Sequence, residues 1–240
     1  MKGAALFFFN VTEKEKAEQI RREFTANVSH ELKTPLHSIS GYAELLKNDM
    51  VKDEDKIPFA GKIYDEAGRM IRLVEDIISL SHLDEGAGDM QRENTDLYAL
   101  AGQAVQSLTP QADAMCVSLE LTGIHAAFYG IPQLLYSVVY NLCDNAIKYN
   151  RQNGKVTVSV QDEDGTAVLS VQDTGIGIAP EHQERIFERF YRVDKSHSKA
   201  VGGTGLGLSI VKHAVKIHNA RIEVKSLVGK GTTVTVTFPK

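Results

Sequence analysis

The sequence predicts an α+β protein in two parts, a helical hairpin followed by an α/β sandwich. The hairpin is indicated by two charged, amphipathic stretches whose apolar residues recur every three to four positions. The sandwich is indicated by short runs of alternating apolar and polar residues, typical of strands, that are interspersed with further helical patterns. The change from one pattern to the other falls at residues 85–88.

The helical hairpin begins with a charged pattern at Thr12 that continues to Leu46, and a charged stretch over residues 48–56 then interrupts it. In the second helix, the positions of one face are spaced alternately by four and three, at Ile63, Ala67, Met70, Val74, Ile77 and Ser81. Because such a heptad period favours helix pairing, we expect two hairpins to form a four-helix bundle, which makes the chain a homodimer. The alternative is that this stripe packs on the rest of the same chain.

The remainder of the chain is expected to form a mixed sheet with helices packed on it. Pro132 suits the first turn of a helix that runs to Tyr149. The other expected helices cover residues 97–115, 181–191 and 206–218, and the expected strands cover residues 117–121, 155–161, 167–173, 222–226 and 232–238. At the N-terminus, residues 3–11 have the pattern of one more strand.

The overall composition is that of a soluble globular protein. The 240 residues are 42% hydrophobic and 24% charged, and the net charge of -4 gives no electrostatic reason to expect a nucleic acid or an anionic membrane as a partner. We interpret Cys116 and Cys143 as buried thiols in a reducing compartment. The longest N-terminal apolar run, residues 4–9, is far shorter than the ~20 residues that span a bilayer.

One histidine in the first predicted helix stands among residues that suit its chemistry. His30 and Thr34 are four residues apart and therefore share a helical face. Glu31 can accept a hydrogen bond from one ring nitrogen and leave the other nucleophilic, while Pro35 is expected to kink the helix beside it. We interpret the other histidines as surface residues; they are His37, His82, His125, His182, His197, His213 and His218.

Two polar motifs lie in the second part of the chain. Asn141, Asn145 and Lys148 form one stripe of a predicted helix, and amide oxygens beside a cation suit a Mg²⁺ ion that is already bound to phosphates. The alternative is a solvated polar face. Asp173 ends a predicted strand and precedes glycines, so its carboxylate can accept a hydrogen bond from an adenine amino group while the backbone approaches a flat base. The alternative there is an ordinary turn.

A glycine-rich segment, residues 202–207, opens a predicted helix. Backbone amides at a helix N-terminus form an anion site that suits phosphates. The segment lacks the Lys-Ser/Thr pair of a P-loop and no parallel βαβ unit surrounds it, so neither a P-loop nor a dinucleotide-binding fold is predicted.

Taken together, these motifs resemble those of the histidine kinase family of two-component systems. The chain carries a phosphoacceptor box (SHELKTPL), an asparagine box (NLCDNAIKY), a first glycine box (DTGIGI), a Phe box (IFERFYRVD) and a second glycine box (GGTGLGLSIV), in the family's order. The resemblance covers the chain from about Thr12 to its end. It implies a dimerisation and phosphotransfer hairpin over residues 18–88 and an ATP-binding domain of the gyrase and Hsp90 type over residues 89–240. Residues 1–17 resemble the end of a PAS-type sensor module and its linker helix.

The resemblance also implies an enzyme, a protein-histidine kinase that phosphorylates His30 from Mg-ATP with Glu31 as acid/base partner. By the same resemblance, Asp173 reads adenine and Tyr149 covers its ring. Lys148 and Arg192 neutralise phosphate charge, and Asn141 and Asn145 hold Mg²⁺, under a mobile lid over residues 191–204. The further nucleotide-binding residues are Gly175, Gly177, Gly203, Thr204, Gly205, Leu206 and Gly207.

The expected partner is the receiver domain of a response regulator, which accepts the phosphate on an aspartate. Thr34 is tied by the resemblance to dephosphorylation of that regulator. We expect this fragment to be cytoplasmic and its full-length parent to lie in the bacterial cell membrane. One departure is visible, since Gly130 is followed by Ile131 where the family usually has Asp. The rival hypotheses are an ATP-driven clamp of the same superfamily and a non-catalytic dimeric scaffold.

Overall fold

The structure, a computed structural model, describes residues 12–84, 90–193 and 203–239. The chain divides into two compact units, one that ends at Leu73 and one that begins at Val74. The strand expected over residues 3–11 lies outside the described residues, as does most of the expected lid.

The first unit consists of helix α1 (Thr12–Lys47) and the larger part of helix α2 (Asp53–Asp84), so the boundary between the units falls inside α2. Acidic residues in the first turn of α2 favour its N-terminus through the helix dipole. Lys56 closes the connecting turn through ion pairs with Asp49 and Asp53, at 2.9 and 2.7 Å. The predicted helical hairpin is confirmed. None of the described helices has the length and hydrophobicity that crossing a membrane requires.

The second unit contains the end of α2 and an α/β domain. Its strands are β1 (Glu93–Asp96), β2 (Ser118–Gly123), β3 (Ala127–Gly130), β4 (Lys155–Glu163), β5 (Thr166–Asp173), β6 (Arg221–Leu227) and β7 (Gly231–Phe238). Its further helices are α3 (Leu97–Ala114), α4 (Pro132–Lys148), α5 (Pro180–Gln183) and α6 (Gly207–Ile217), and a 3₁₀ turn covers Arg185–Phe187. The predicted strands and three of the predicted helices are present, with ends shifted by up to about two residues.

The main sheet has five strands in the order β2-β4-β5-β7-β6. The β2–β4 pair is parallel and the other pairs are antiparallel, so the sheet is mixed as predicted. Strands β1 and β3 form a separate antiparallel pair that the sequence did not indicate, because each has only four residues. The α/β sandwich predicted from the alternation of helices and strands is confirmed.

The helix predicted over residues 181–191 is wrong in its extent. The structure has a helix of four residues there, followed by the 3₁₀ turn, and Glu188 then takes an extended conformation with ψ 146°. Phe190 is in the left-handed region (φ 61°), and its backbone amide donates to the carbonyl of Gly205 at 2.8 Å. The helix therefore ends before Phe190, whose backbone pairs with the glycine-rich segment at Gly205.

The core of the α/β domain lies between the sheet and the helices α3, α4 and α6. Its fully buried side chains come from every one of these elements and include Leu97, Leu108, Leu135, Val138, Ile147, Val156, Leu169, Leu206 and Phe238. Burial of each large aliphatic side chain contributes about 2 kcal/mol to folding. The inward-facing residues of α4 pack in this core. Asn141, Asn145 and Lys148 lie on the opposite stripe of the helix and are therefore available to a binding site.

Two interpretations of single residues are corrected by the structure. Cys143 is buried as predicted, but Cys116 is exposed, because it follows the end of α3 in a left-handed conformation (φ 53°) that ends the helix at the surface. His218, interpreted as a surface residue, is buried with only 2% of its surface exposed. It lies against the aromatic rings of Phe128 and Phe238.

The position of His218 explains how the chain tolerates Ile131. Ile131 caps the N-terminus of α4 and has no side chain that can bond to the helix. Its own backbone amide instead donates to Nε2 of His218 at 2.9 Å, while Nδ1 of the same ring lies 2.7 Å from the carbonyl of Ala214. These partners require the neutral ring with the proton on Nδ1. Burial lowers the pKa of His218, which favours that neutral form.

Candidate nucleotide-binding and phosphoacceptor sites

The candidate phosphoacceptor site lies within the first unit. His30 is exposed on α1, and the Thr34 hydroxyl donates to the carbonyl of His30 at 3.2 Å. The carboxylate of Glu31 lies 3.8 Å from the guanidinium of Arg69 on α2, which also approaches Glu66 at 4.0 Å. No motif in the sequence indicated Arg69, because its pairing with Glu31 joins two helices that are far apart along the chain.

The asparagine stripe of α4 is held by polar contacts on its own surface. The Asn141 amide donates to the carbonyl of Ser137 at 2.8 Å. Lys148 donates to Oδ2 of Asp144 at 2.6 Å, and Gln111 of α3 donates to Oδ1 of the same carboxylate at 2.9 Å. The spacing of four between Asp144 and Lys148 was a signal in the sequence for this ion pair. No spacing in the sequence indicated the hydrogen bond from Gln111 to Asp144, which are 33 residues apart.

The Asp173 carboxylate is fixed at the end of β5. Its Oδ1 accepts from the backbone amides of Gly175 and Thr232, at 2.7 and 3.2 Å. Burial raises the pKa of Asp173, although these two hydrogen bonds act in the opposite direction. The result is a half-buried acceptor with a fixed orientation at the end of β5, the central strand of the sheet.

Two glycines after Asp173 allow the backbone to pack closely. A Cβ atom on Gly175 would lie 2.3 Å from the carbonyl oxygen of Tyr149, and one on Gly177 (φ 70°) would lie 2.1 Å from that of Leu227. Arg151 reinforces this packing, because its guanidinium donates to the carbonyls of Gly175 (3.1 Å) and Gly229. Only glycine fits at these two positions without a shift of the backbone.

The second glycine-rich segment brings the start of α6 against α4. A Cβ atom on Gly207, the first residue of α6, would lie 2.5 Å from Oδ1 of Asn141. Gly203 lies near the hydroxyl of Tyr149, and Gly205 (φ 76°) packs on the backbone of Phe190 and near Arg192. The structure thus brings together, within the second unit, the α4 stripe, the Asp173 loop and the second glycine-rich segment.

Thr204 has two partners in the second unit. Its hydroxyl donates to the carboxylate of Asp76 at 2.6 Å and accepts from the backbone amide of Leu206 at 3.2 Å. Burial raises the pKa of Asp76, and the hydrogen bond from Thr204 acts against that shift. No local pattern indicated Asp76, which is 128 residues away from Thr204 along the chain.

The residues present suit a nucleotide with a magnesium ion that is held mainly through phosphates. Lys148 and Arg192 supply positive charge, and the backbone amides at the start of α6 supply donors for an anion. Burial raises the pKa of the Tyr149 hydroxyl, so that side chain stays neutral. In the described residues, no group of three or more His, Cys, Asp or Glu side chains is arranged for a metal. Binding of Mg²⁺ by the amides of Asn141 and Asn145 stays a prediction.

The mixed sheet, the asparagine helix and the glycine-opened helix define a nucleotide-binding domain, and the comparisons with known proteins agree. Residues 130–240 match the family described as histidine kinase-, DNA gyrase B- and HSP90-like ATPase. Residues 20–86 match the His Kinase A (phospho-acceptor) domain. The chain therefore belongs to the sensor histidine kinase family, and the resemblance drawn from the sequence motifs is confirmed.

Individual relatives support the same assignment. The chain is 38% identical, over 99% of its length, to the sensor histidine kinase WalK of Bacillus subtilis, and it spans 39% of that relative. The fold is also that of the Acinetobacter baumannii histidine kinase AdeS, with 23% identity, a TM-score of 0.72 and coverage of 87% of this chain and 96% of that one. The histidine kinase ThkA, whose structure is a complex with the response regulator TrrA, gives a TM-score of 0.75 at 21% identity, with coverage of 96% and 65%.

Proposed function

We propose that the chain is the catalytic core of a sensor histidine kinase, which uses Mg-ATP to phosphorylate itself on His30. The observation that carries this proposal is the meeting of the segments around Asn141, Tyr149, Asp173 and Gly207 within one domain of a family member. An ATP-driven clamp would need the same domain but no phosphoacceptor, whereas this chain also matches the phosphoacceptor domain.

The base of the nucleotide is read at the Asp173 end of the site. Asp173 accepts a hydrogen bond from the adenine amino group, and the Tyr149 ring covers the base. A carboxylate that two backbone amides hold in place supports this role, because a fixed acceptor rejects a base that offers an acceptor at the same point. Gly175 and Gly177 let the backbone approach the flat ring.

The phosphates are held at the end of the site near α6. Lys148 and Arg192 neutralise their charge, and Asn145 and Asn141 hold Mg²⁺ by their amide oxygens. Backbone donors come from the start of α6 and the segment before it, at Gly203, Thr204, Gly205, Leu206 and Gly207. When bound, Mg-ATP supplies the phosphoryl group, and these residues orient it and offset its charge.

The phosphoacceptor is His30, whose exposure on α1 leaves its ring open to reactants. Glu31 acts as its acid/base partner by hydrogen bonding one ring nitrogen, so that the other nitrogen is the nucleophile. Arg69 supports this role, since its guanidinium attracts and orients the Glu31 carboxylate from α2.

The hairpin also serves dimerisation. Large apolar side chains of the hairpin are exposed in the single chain; they include Leu36, Ile57, Tyr64, Ile71, Val74 and Ile78. Pairing with the hairpin of a second chain would bury such side chains in a four-helix bundle. We assign residues 18–88 to this dimerisation and phosphotransfer domain, residues 89–240 to ATP binding, and residues 1–17 to the end of an upstream sensor module.

The phosphate is then transferred to an aspartate of a response-regulator receiver domain. ThkA, a protein of the same fold, was crystallised with such a regulator, which supports a partner of this kind here. We place the fragment in the cytoplasm and its full-length parent in the bacterial membrane, because receiver domains and ATP are cytoplasmic and the parent's signal is received upstream.

Thr34 is the candidate residue for dephosphorylation of the regulator. Its hydroxyl donates to the His30 carbonyl, which leaves the oxygen able to accept a hydrogen bond from a water. Thr34→Ala should therefore lose dephosphorylation and keep phosphorylation of His30. If the hydroxyl only shapes the helix before Pro35, both activities should fall together. Phosphatase assays on a phosphorylated receiver domain, beside autophosphorylation assays, distinguish the two.

The kinase proposal is tested by incubation of the chain with labelled ATP and Mg²⁺, followed by mapping of the acid-labile phosphate by mass spectrometry. We expect label on the peptide that contains His30, and none when EDTA replaces Mg²⁺. Acid-stable label, or acid-labile label on another histidine such as His37, would contradict the proposal.

A further inference from the structure

A chain of three polar side chains links α3 to the asparagine stripe of α4. Gln111 of α3 donates its amide to Oδ1 of Asp144 at 2.9 Å, and Lys148 donates its ammonium to Oδ2 of the same carboxylate at 2.6 Å. Lys148 and Asp144 lie one turn apart on α4, with 18% and 15% of their side chains exposed. Both oxygens of the Asp144 carboxylate therefore accept a hydrogen bond, one from a donor on α3 and the other from a donor on α4.

The carboxylate of Asp144 lies close enough to the candidate nucleotide site to act on it electrostatically. The pKa of Tyr149 is raised chiefly by burial, and the charge of Asp144 adds to that shift while Arg192 opposes it. The pKa of Asp76, the partner of Thr204, is raised chiefly by burial. The charge of Lys148 opposes that shift and the charge of Asp144 adds to it. A negative charge at this point repels phosphates unless a cation accompanies it.

Lysine is a poor anchor for a phosphate unless something fixes it, because its four-carbon stem is flexible and its ammonium is a point charge. Asp144 alone gives only partial fixation, since rotation of its carboxylate about χ2 is broad. The second donor, from Gln111, restricts that rotation. The ammonium of Lys148 is then held at one place on the α4 stripe beside Asn145.

We propose that Gln111 is a positioning residue of the nucleotide site, which acts through Asp144 to fix Lys148 for the phosphates of ATP. This inference rests on the proposed function, because it assumes that Lys148 faces the phosphates. It assigns to α3, a helix without any of the five family motifs, a part in the affinity for ATP.

The competing explanation is that the Gln111–Asp144 hydrogen bond only fastens α3 to α4. The two explanations differ in what the loss of the bond affects. If the bond only fastens the helices, its loss should lower the stability of the domain and the affinity for all ligands alike. If it positions Lys148, its loss should lower the affinity only for ligands that carry phosphates, and only when Lys148 is present.

The test measures binding of ATP, ADP and adenosine to the whole chain by calorimetry. Gln111→Met keeps the length of the side chain and removes its donor, and Gln106→Met on the exposed face of the same helix is the matched control. We expect Gln111→Met to weaken the binding of ATP and ADP by about tenfold, which is the low end of the loss seen when a partner that orients a metal-binding side chain is removed. Adenosine binding and the melting temperature should stay unchanged, as should every property of the Gln106 variant.

A double-mutant cycle with Lys148→Ala completes the test. In the Lys148→Ala chain, Gln111→Met should have no further effect on ATP. Full ATP affinity in Gln111→Met, an equal loss for adenosine and ATP, or additive losses in the cycle would each overturn the inference. Failure of the unaltered chain to bind ATP would instead refute the proposed function, and an unchanged affinity in Lys148→Ala would refute the role given to Lys148.

Discussion

The helical hairpin and the α/β domain differ in how they expose large apolar side chains. In the hairpin, Ile57 and Tyr64 have 83% and 80% of their surface exposed. In the α/β domain, Leu135, Val138 and Leu169 have none exposed, and the sheet and helices enclose them on all sides. The difference teaches that the α/β domain completes its core by itself, whereas the hairpin has an apolar surface that is suited to a partner.

The first way to test this separation is His30→Gln, for which we expect the largest effect. Phosphorylation should be abolished, because glutamine offers no nucleophilic ring nitrogen, while ATP affinity should stay within about twofold because the nucleotide site belongs to the α/β domain. Labelled-ATP assays and calorimetry on the same preparation measure both. His37→Gln, on the same helix, is the control. Retained acid-labile phosphate in the His30 variant would refute its role as acceptor.

The second test compares a buried and an exposed apolar residue. Leu135→Ala should lower the free energy of unfolding of the α/β domain by about 3 kcal/mol, through lost burial and a cavity. Ile71→Ala, at an exposed position of α2, should change it by less than about 0.5 kcal/mol and instead weaken association of the chain. Urea titrations and sedimentation equilibrium measure these two quantities. Equal destabilisation by both variants would show that Ile71 packs within its own chain.

The third test concerns the carboxylate at the end of β5. In Asp173→Asn, Oδ1 can keep the hydrogen bonds from Gly175 and Thr232, so the fold should persist. The charged acceptor for the adenine amino group is lost, and we expect the preference for ATP over GTP to shrink by about tenfold. Competition binding with both nucleotides measures the ratio, with Asp113→Asn as an exposed control. An unchanged ratio would remove Asp173 from base recognition.

The fourth and smallest expected effect is the pH dependence that His218 gives to the α/β domain. Its folded pKa lies below the ordinary value of 6.5, so below pH 6.5 the unfolded chain binds a proton that the folded chain does not. Stability should be constant above that pH and decline below it, by at most about 1.4 kcal/mol per pH unit.

The measurement is urea unfolding between pH 5 and 8 for the unaltered chain and for His218→Gln. Glutamine can accept from the Ile131 amide and does not titrate, so its curve should lack the decline. The pKa values of Asp76 and Asp173 are raised, which favours the folded state at lower pH. This contribution to stability is the same in both chains, so it cancels when one curve is subtracted from the other. Identical curves would show that folding does not change the pKa of His218, and would contradict the buried neutral ring described above.

The sequence predicted what is local. The heptad spacing of α2, the alternation in β4 and β5, and the motif residues Asn141 and Asp173 each depend on neighbours within a few positions. The hairpin, the mixed sheet and the family followed from such patterns. The four-residue strands β1 and β3 were missed, because so few residues carry no periodicity, and the helix at residues 181–191 was predicted too long.

Contacts between distant segments could not be predicted. His218 supports the start of α4 from 87 residues away, Gln111 reaches Asp144 across 33, and Thr204 reaches Asp76 across 128. A sequence shows which residue types are present, and packing decides which of them meet. For this reason a histidine counted as a surface residue proved to be a helix cap, and Ile131 needed no replacement for the missing Asp.

The two cysteines offer a practical consequence for experiments. Burial raises the pKa of Cys143 to about 12, so its thiol carries almost no thiolate at neutral pH and has no exposed surface. Cys116 is exposed after the end of α3. A maleimide dye should therefore attach at Cys116 with a stoichiometry of one per chain. A fluorescent reporter can thus be placed on the α/β domain of the unmutated protein, at the end of the helix that carries Gln111.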